Sequence, residues 1–333
     1  MTTNNLQVRV RSFPTGVVEA SHFEVKPGPM PVPAEGQVLV RIAYLSLDPY
    51  MRKRLTDAVE GRVKFQVGDL MMGRTVGEVV ESRDAGFRPG DKVLGWGGWQ
   101  QYSAESARKL EKVSDAGQPL SVHLGVLGRP GITAWLGMVH VAKVKAGDKV
   151  LVSSAAGGVG SVAGQIARQL GADVVGIAGG PEKCKAVVQE LRLRACLDYK
   201  APDFDEALRA ATPQGVDVCF ENVGAAMLDA ALDRMNLNGR IALCGLLGQY
   251  QAGAPYAYRN FPRLLDRALE LTGFRIDDHP ALYDRARADL GKWLASGAFS
   301  QWETVSHGLE QAPAAFAAML QGRGQGKTLV KVG

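Results

Sequence analysis

"KVLVSSAAGGVGSVAGQIARQLG", residues 149–171, decides the fold. An apolar run, Val150-Leu151-Val152, gives way to a turn of small residues and then to a helical pattern, in which Val159, Val162, Ala163, Ile166, Ala167 and Leu170 share one face. The turn Ala155-Ala156-Gly157-Gly158-Val159-Gly160 is an A-x-G-x-x-G form of the dinucleotide-binding fingerprint. Gly157 lets the backbone approach a pyrophosphate, with Ala156, Gly158 and Val159 completing the cradle. Gly160 lets the helix lie close on its strand, and the helix N-terminus offers unpaired N–H groups and a partial positive charge. Alone, such a glycine pattern also describes a packing turn without a ligand. A strand before it and a helix after it give it weight.

The same alternation continues outward. "DVVGIAG", "EKCKAVVQELR", "ACLDY", "FDEALRAAT", "VDVCFEN", "AMLDAALDRM" and "GRIALCG" follow as strand, helix, strand, helix, strand, helix, strand. Continuous apolar strands between helices are the pattern of a doubly wound parallel sheet, so the fold class is α/β. Residues 6 to 115 read differently, as short strands broken by Gly and Pro, which predicts a twisted antiparallel β-domain. Near the C-terminus "ALYDRARADLGKWLASG" is an amphipathic helix, and "AFAAMLQGRGQGKTLVKVG" reads as helix, glycine-rich turn and strand. That last strand needs a sheet to join, at the edge of the nucleotide domain or in the first domain.

Bulk properties narrow the function. A chain of 333 residues predicts two domains. With 46% apolar and 22% charged residues it has the balance of a soluble globular protein. The net charge of +5 comes from 39 basic and 34 acidic residues spread without a basic run of five, which argues against nucleic acid as a partner. The opening "MTTNNLQVRVRSF" lacks the apolar core of a secretory signal and no apolar run approaches the ~18 residues of a membrane helix, so no membrane partner and a cytoplasmic address are expected. Cys184, Cys196, Cys219 and Cys244 are widely spaced, with no C-x-x-C pair, and read as small apolar residues rather than a zinc site.

The cofactor's identity turns on "IAGGPEKCK", residues 177–185. About 20 residues after the glycine turn an NAD site places Asp or Glu against the ribose 2′-hydroxyl. Gly179 and Gly180 stand there instead, and Lys183 opens the next helix. Missing a carboxylate and gaining an ammonium, the site predicts a 2′-phosphate and hence NADP(H). The competing reading makes Lys183 an ordinary solvated helix residue, and spacing alone does not separate the two.

These residues resemble the zinc-independent medium-chain dehydrogenases/reductases, in the branch of prostaglandin reductases and alkenal double-bond reductases. The resemblance covers nearly the whole chain and rests on "LSLDPYMR", "LGRPGITAW", "AAGGVGSVAGQIA", "GGPEKC", "LDYK", "ENVG", "GLLGQYQ" and "GKTLVKV" in that order. It implies a GroES-like catalytic β-domain, residues 1–124 and 297–333, with a Rossmann NADP-binding domain, residues 125–296, and a homodimer. Where zinc-dependent relatives carry His and Glu, this chain has Arg74 and Thr75, and no cysteine precedes Cys184, so no metal is expected. The chemistry implied is hydride transfer from NADPH to the β-carbon of an alkene conjugated to a carbonyl, with a hydrogen-bond donor at the oxygen. Rival activities are quinone reduction and a catalytically silent, cofactor-binding role.

By the same resemblance Tyr250 donates to the substrate carbonyl and Tyr50 walls the substrate pocket. Either could instead be a buried aromatic with a satisfied hydroxyl. Thr133 falls near the nicotinamide amide, Tyr199 at the adenosine phosphate end and Asn222 by the central ribose or nicotinamide, each competing with a purely local hydrogen-bonding role. Backbone groups around Phe274 are expected to line the nicotinamide pocket and the subunit interface. Three departures stand out: Gly324 where the family often has Asn, with Arg323 beside it; Arg129 where several relatives are apolar; and "QAGAPYAYRNFPRLL", which is poorer in proline than in mammalian members. The last leaves prostaglandin activity unassigned.

Overall fold

The structure, a computed structural model, describes residues 4–55, 65–114, 117–248 and 255–333. Backbone contacts divide the chain into two units, one of Met1–Leu124 with Glu303–Gly333 and the other of Gly125–Trp302.

The first unit opens with strands β1 (Asn4–Val10), β2 (Phe23–Pro29), β3 (Gln37–Ser46), β4 (Thr75–Ser82), β5 (Lys92–Gly95), β6 (Tyr102–Ser106) and β7 (Glu111–Lys112), with a short helix α1 (Met51–Arg54) after β3. β1 and β2 pair antiparallel as a two-stranded sheet. The long β3 is the spine of the other sheet. It pairs along one edge with β4, and the first half of its other edge takes β6, from Gln37 opposite Ser106 to Arg41 opposite Tyr102.

The second unit alternates strand and helix. A helix α2 (Arg129–Trp135) widens into a π-helical turn, Leu136–Val141, and then β8 (Lys149–Val152), α3 (Gly160–Gln169), β9 (Asp173–Ala178), α4 (Pro181–Glu190), β10 (Ala195–Asp198), α5 (Phe204–Ala211), β11 (Val216–Glu221), α6 (Ala225–Arg234) and β12 (Met235–Leu243) follow. A short α7 (Arg263–Asp266), β13 (Glu270–Gly273) and α8 (Tyr283–Ala295) complete it. The six strands are all parallel, in the order β10-β9-β8-β11-β12-β13. This is the doubly wound order, in which the chain leaves β8 first to one side and then to the other. Its central strands are buried almost without a break, as strands covered on both faces must be.

Local chemistry sets the helix ends. α3 stops in a Schellman turn: Gly171 has φ +82°, its amide bonds to the Arg168 carbonyl at 3.0 Å, and the Ala172 amide bonds to Ala167 at 3.1 Å. α4 starts on Pro181, whose missing N–H costs nothing in the first turn.

The chain then returns to the first unit with β14 (Glu303–His307), α9 (Ala312–Leu320) and β15 (Lys327–Lys331). β15 settles the choice left open by its sequence: it pairs antiparallel with the second half of β3, Leu329 opposite Ser46, and parallel with β14. The sheet of the first unit therefore runs β14-β15-β3-β4-β5-β7 with β6 attached to β3. Below it Phe23, Trp99 and Phe316 form an aromatic triangle with centroids 5.5–6.0 Å apart, within a cluster that includes Val8, Leu45, Met51 and Val330. Fully burying a large apolar side chain contributes about 1.5–3 kcal/mol, so this cluster couples the C-terminal segment to the N-terminal strands.

Candidate functional site

The glycine turn folds tightly at the end of β8. Ser154 takes φ +51°, its carbonyl accepts the Gly157 amide at 2.9 Å, and the Gly157 carbonyl accepts the Ser161 amide at 2.9 Å. A Cβ on Gly160 would lie 2.1 Å from the Ser154 carbonyl oxygen, and one on Gly157 would lie 2.8 Å from Ser154 Oγ. Only glycine fits this approach of helix to strand. Ala155 and Ala156 are buried, whereas Gly157, Gly158 and Val159 are half-buried and open the first turn of α3, whose amides lack partners within the helix. The turn thus offers backbone donors and a positive helix end to an anion.

At the end of β9, Gly180 adopts φ +98° and a Cβ on Gly179 would sit 2.8 Å from Tyr199 Cε1, so the Tyr199 ring packs against Gly179 while the space beside Gly180 is open. Lys183 belongs to the first turn of α4. Burial, and then the neighbouring Lys200 ammonium, push its pKa below the usual lysine value. Lys200 Nζ also stands 5.8 Å from the centre of the Tyr199 ring. Lys183 and Lys200 thus lie near enough to act on each other, and Lys200 stands beside the ring that packs against Gly179. Lys200 was not singled out in the sequence, although it closes the "LDYK" segment.

A carboxylate does stand close by, carried in from the neighbouring strand. Asp198 Oδ1 accepts the amides of Gly180 at 2.8 Å and Lys200 at 3.0 Å. Those two bonds hold its carboxyl below the ordinary aspartate range. Asp198 therefore fixes the glycine turn through its backbone.

The far end of the crevice is built from β8, β11 and α2. Asn222 is buried and locked: its Nδ2 donates to the Ser153 carbonyl at 2.7 Å and its amide donates to Ser153 Oγ at 2.8 Å. Thr133 lies half-buried in α2. That helix continues into the π-helical turn, where Gly137 has no room for a side chain: a Cβ would lie 2.3 Å from Phe220 and 2.8 Å from Phe274. Phe220 and Phe274 meet edge to face at 6.4 Å. Arg129, the odd residue at the start of α2, makes a two-pronged ion pair with Asp277 at 2.7 and 3.1 Å, which ties α2 to the turn after Phe274. The structure thus sets Asn222 and Phe274 near the end of β11, with Thr133 one helical turn before Gly137.

In the first unit Tyr50 is half-buried against the aromatic cluster, at the head of α1. Just before it, Lys327 Nζ donates to Asp48 Oδ1 at 2.6 Å and to the Leu47 carbonyl at 2.7 Å, and Ser46 Oγ donates to Asp48 Oδ2 at 2.6 Å. Burial pushes the Asp48 carboxyl up, but the Lys327 charge and these bonds outweigh it and hold the pKa below the ordinary value. Arg74 stacks 5.1 Å over Trp96, and Thr75 Oγ1 accepts the Gly97 amide at 3.0 Å. Gly324 takes φ +126°, beyond what asparagine tolerates, and Thr304 Oγ1 braces the following Gln325 through its amide and carbonyl at 2.9 and 2.8 Å. Tyr250 lies outside the described residues.

Comparison with known proteins places the whole arrangement. A profile described as "N-terminal domain of oxidoreductase" matches residues 7–113, and one described as "Zinc-binding dehydrogenase" matches residues 158–288. The chain is 39% identical over 327 residues to the NADPH-dependent curcumin reductase of Escherichia coli, covering 96% of this chain and 95% of that one. It is 38% identical over 336 residues to the 2-alkenal reductase (NADP(+)-dependent) of Nicotiana tabacum, covering 99% and 98%. The chain belongs to the zinc-independent medium-chain reductases, alkenal and prostaglandin reductase branch. The crystal structure of CurA in complex with NADPH from Vibrio vulnificus superposes with a TM-score of 0.93 at 38% identity, over 98% of this chain and 99% of that one.

The features of this reductase suit a phosphorylated dinucleotide. The Gly160 and Gly157 approaches keep side chains off the turn backbone, as a pyrophosphate would require, and two mutually interacting ammonium groups, Lys183 and Lys200, lie at the corner where a further phosphate would need them. Among the described residues no group of three His, Cys, Asp or Glu side chains gathers that could hold a metal ion.

Proposed function

We propose that this reductase uses NADPH to reduce the carbon–carbon double bond of α,β-unsaturated aldehydes and ketones. The observation that carries the reading is the pair of lysines, Lys183 and Lys200, at the corner formed by Gly179 and Gly180 at the end of β9, in a chain aligned end to end with an alkenal reductase. In this reading the Gly125–Trp302 unit is the NADP-binding domain and the other unit is the catalytic β-domain.

When bound, the dinucleotide would supply a hydride to the β-carbon of the substrate, and a proton from water would complete the reduction at the α-carbon. The amides of Gly158, Val159 and Gly160 would hold the pyrophosphate, Gly157, whose own amide is taken by the Ser154 carbonyl, would let the backbone approach it, and Ala156 would give it room. Lys183 and Lys200 neutralise the 2′-phosphate while Tyr199 packs on the adenosine end beside Gly180. Thr133, Asn222 and the backbone at Phe274 orient the nicotinamide side. Tyr250 donates a hydrogen bond to the substrate oxygen, where negative charge develops, and Tyr50 shapes the pocket. Proximity and one well-aimed donor suffice, because the electrophile is already activated by its carbonyl.

A homodimer is supported by β13, whose four residues are all exposed at the edge of the parallel sheet: such an edge is a template for a second strand. A cytoplasmic address is supported by four free thiols, which suit a reducing compartment. Among the described residues no helix is long and apolar enough to cross a membrane.

Following NADPH absorbance with a short enal, a conjugated enone and a benzoquinone tests the activity. Turnover of the enal and enone is expected. Turnover of the quinone alone would move the protein to quinone reduction, and tight NADPH binding without turnover on any of the three would make it a silent binder.

A further inference from the structure

Glu221 ends β11 and is 1% exposed. It lies where β8 and β11 adjoin, Val152 opposite Phe220, which is the point where the strand order reverses and doubly wound sheets open their crevice. Its Oε1 accepts the amides of Val223 at 2.6 Å and Gly224 at 2.7 Å, capping the start of α6. Ser153, just after β8, receives the Asn222 amide on its Oγ at 2.8 Å and donates to the Phe220 carbonyl at 3.5 Å, which joins the ends of β8 and β11 beside the carboxyl. The backbone of the same segment carries the next loop: the carbonyls of Glu221, Asn222 and Val223 accept the amides of Cys244 and Gly245, of Leu247, and of Gly248, so the chain entering residue 249 hangs from it.

We propose that Glu221 is a positioning residue of the dinucleotide crevice, tying the ends of β8 and β11 to the loop that leads to Tyr250, and that its carboxyl takes up a proton when the dinucleotide binds. This rests on the reading of the protein as an NADPH-dependent reductase.

The argument for the proton is electrostatic. Burial pushes the Glu221 carboxyl up to about 7, against the lowering effect of the Gly224 and Val223 amides and the Ser153 hydroxyl. Among the described residues the titratable groups beside it are two thiols, Cys219 Sγ on its own strand, 4.0 Å from Oε2, and Cys244 after β12, with the Tyr258 hydroxyl one step further along, where it accepts the Ala225 amide at 3.0 Å. Burial, and then the Glu221 charge itself, push both thiols far above neutrality, so each stays protonated. A polyanion settling over the ends of β8 and β11 raises the carboxyl further, because like charge disfavours its ionised form. Binding then draws a proton from solvent, and affinity falls as pH rises through 7.

The test is isothermal titration of the full chain with NADH, which lacks a titrating 2′-phosphate, and with NADPH, near pH 7 in two buffers of different ionisation enthalpy. Uptake of a fraction of a proton is expected for NADH in the wild type and its loss in Glu221→Gln, whose amide oxygen still accepts from Val223 and Gly224; with NADPH the 2′-phosphate adds its own proton change to both proteins, and the wild-type count exceeds the variant's by the same fraction. The dissociation constant of the wild type rises between pH 6 and pH 8.5, about tenfold for each unit by which binding raises the carboxyl's pKa, and the variant lacks that rise. Equal proton counts in wild type and variant overturn the proposal. If the variant fails to fold, the wild-type count with NADH decides alone, and a count of zero overturns it. Wild-type protein that binds neither dinucleotide sinks the NADPH reading instead, so the two failures are distinct.

Discussion

Gly160→Ala adds one methyl group at the tightest point of the glycine turn. The new Cβ would stand 2.1 Å from the Ser154 carbonyl oxygen, where ordinary contact begins near 3.4 Å, so about 1.3 Å of separation must come from moving backbone against backbone. Overpacking of a well-packed site costs about 1–3 kcal/mol, and here no flexible side chain can yield. The displaced segment is also the one that presents amides to the pyrophosphate. Hydrogen bonds to charged groups are worth about 1.5–3 kcal/mol and weaken steeply with angle, so losing one lowers NADPH affinity by about tenfold or more. Gly291→Ala, in the interior of α8, is the matched control, since its Cβ meets nothing within 4 Å. Relieving a glycine in a helix stabilises by about 1 kcal/mol, or about 2–4 °C in a domain of this size. Thermal unfolding and NADPH fluorescence titration of both variants read the contrast. Gly160→Ala protein as stable as the wild type, with unchanged NADPH affinity, refutes the argument from close approach.

The remaining expectations are more direct. Lys183→Glu weakens NADPH far more than NADH, by tenfold or more in the ratio of dissociation constants; equal effects on both remove the phosphate assignment. Tyr250→Phe lowers turnover of an enone with the NADPH dissociation constant nearly intact, and an unchanged rate would reduce Tyr250 to packing. Lys327→Met strands the Asp48 carboxylate and destabilises the first unit by about 3–5 kcal/mol at neutral pH. Because Asp48 has a lowered pKa in the folded protein, the stability it contributes is present above the ordinary aspartate pKa and lost as pH falls through the folded value. The gap between Lys327→Met and wild type in denaturant titrations therefore narrows in acid, and a gap that stays constant would show that the charge pair is not its source.

Features written in consecutive residues were legible. The strand, glycine turn and helix of residues 149–171 are a local pattern, and β8, the turn and α3 follow it closely. Lys183 could be singled out because it sits three residues past the glycine pair, and its phosphate role belongs to the proposed reading. What could not be read depends on which strands become neighbours. Lys200 and Asp198 reach the same corner only because β10 lies beside β9, Asp198 opposite Ala178. Glu221 looks like any acid at a strand end until β8 and β11 close over it. The π-helical turn after α2 reads as ordinary helix in sequence, since its cause is the packing of Gly137 under Phe220 and Phe274. β15 suited either sheet by pattern, and the free half of the β3 edge took it.

The corner at the end of β9 also changes the electrostatic reasoning from which the cofactor assignment began. Absence of a carboxylate after β9 is not absence of a carboxylate from the corner, because Asp198 is there. What matters is where its charge is spent. Oδ1 takes two backbone amides, one from Gly180 itself, and that pairing holds the glycine turn in the φ +98° conformation that keeps it free of any side chain. The carboxylate is thus satisfied chiefly by backbone dipoles, with the Lys200 charge a lesser contributor, while Lys183 and Lys200 stand at the same corner. An acid placed one strand over can build an anion site that the same acid after β9 would close. Asp198→Asn keeps one acceptor for Gly180 and removes the charge, so it should leave NADPH selectivity over NADH equal or higher. Asp198→Ala frees the glycine turn and should lower affinity for both dinucleotides. Loss of selectivity in Asp198→Asn, measured by the ratio of the two dissociation constants, would show that the carboxylate acts on the ligand through its charge rather than through the turn.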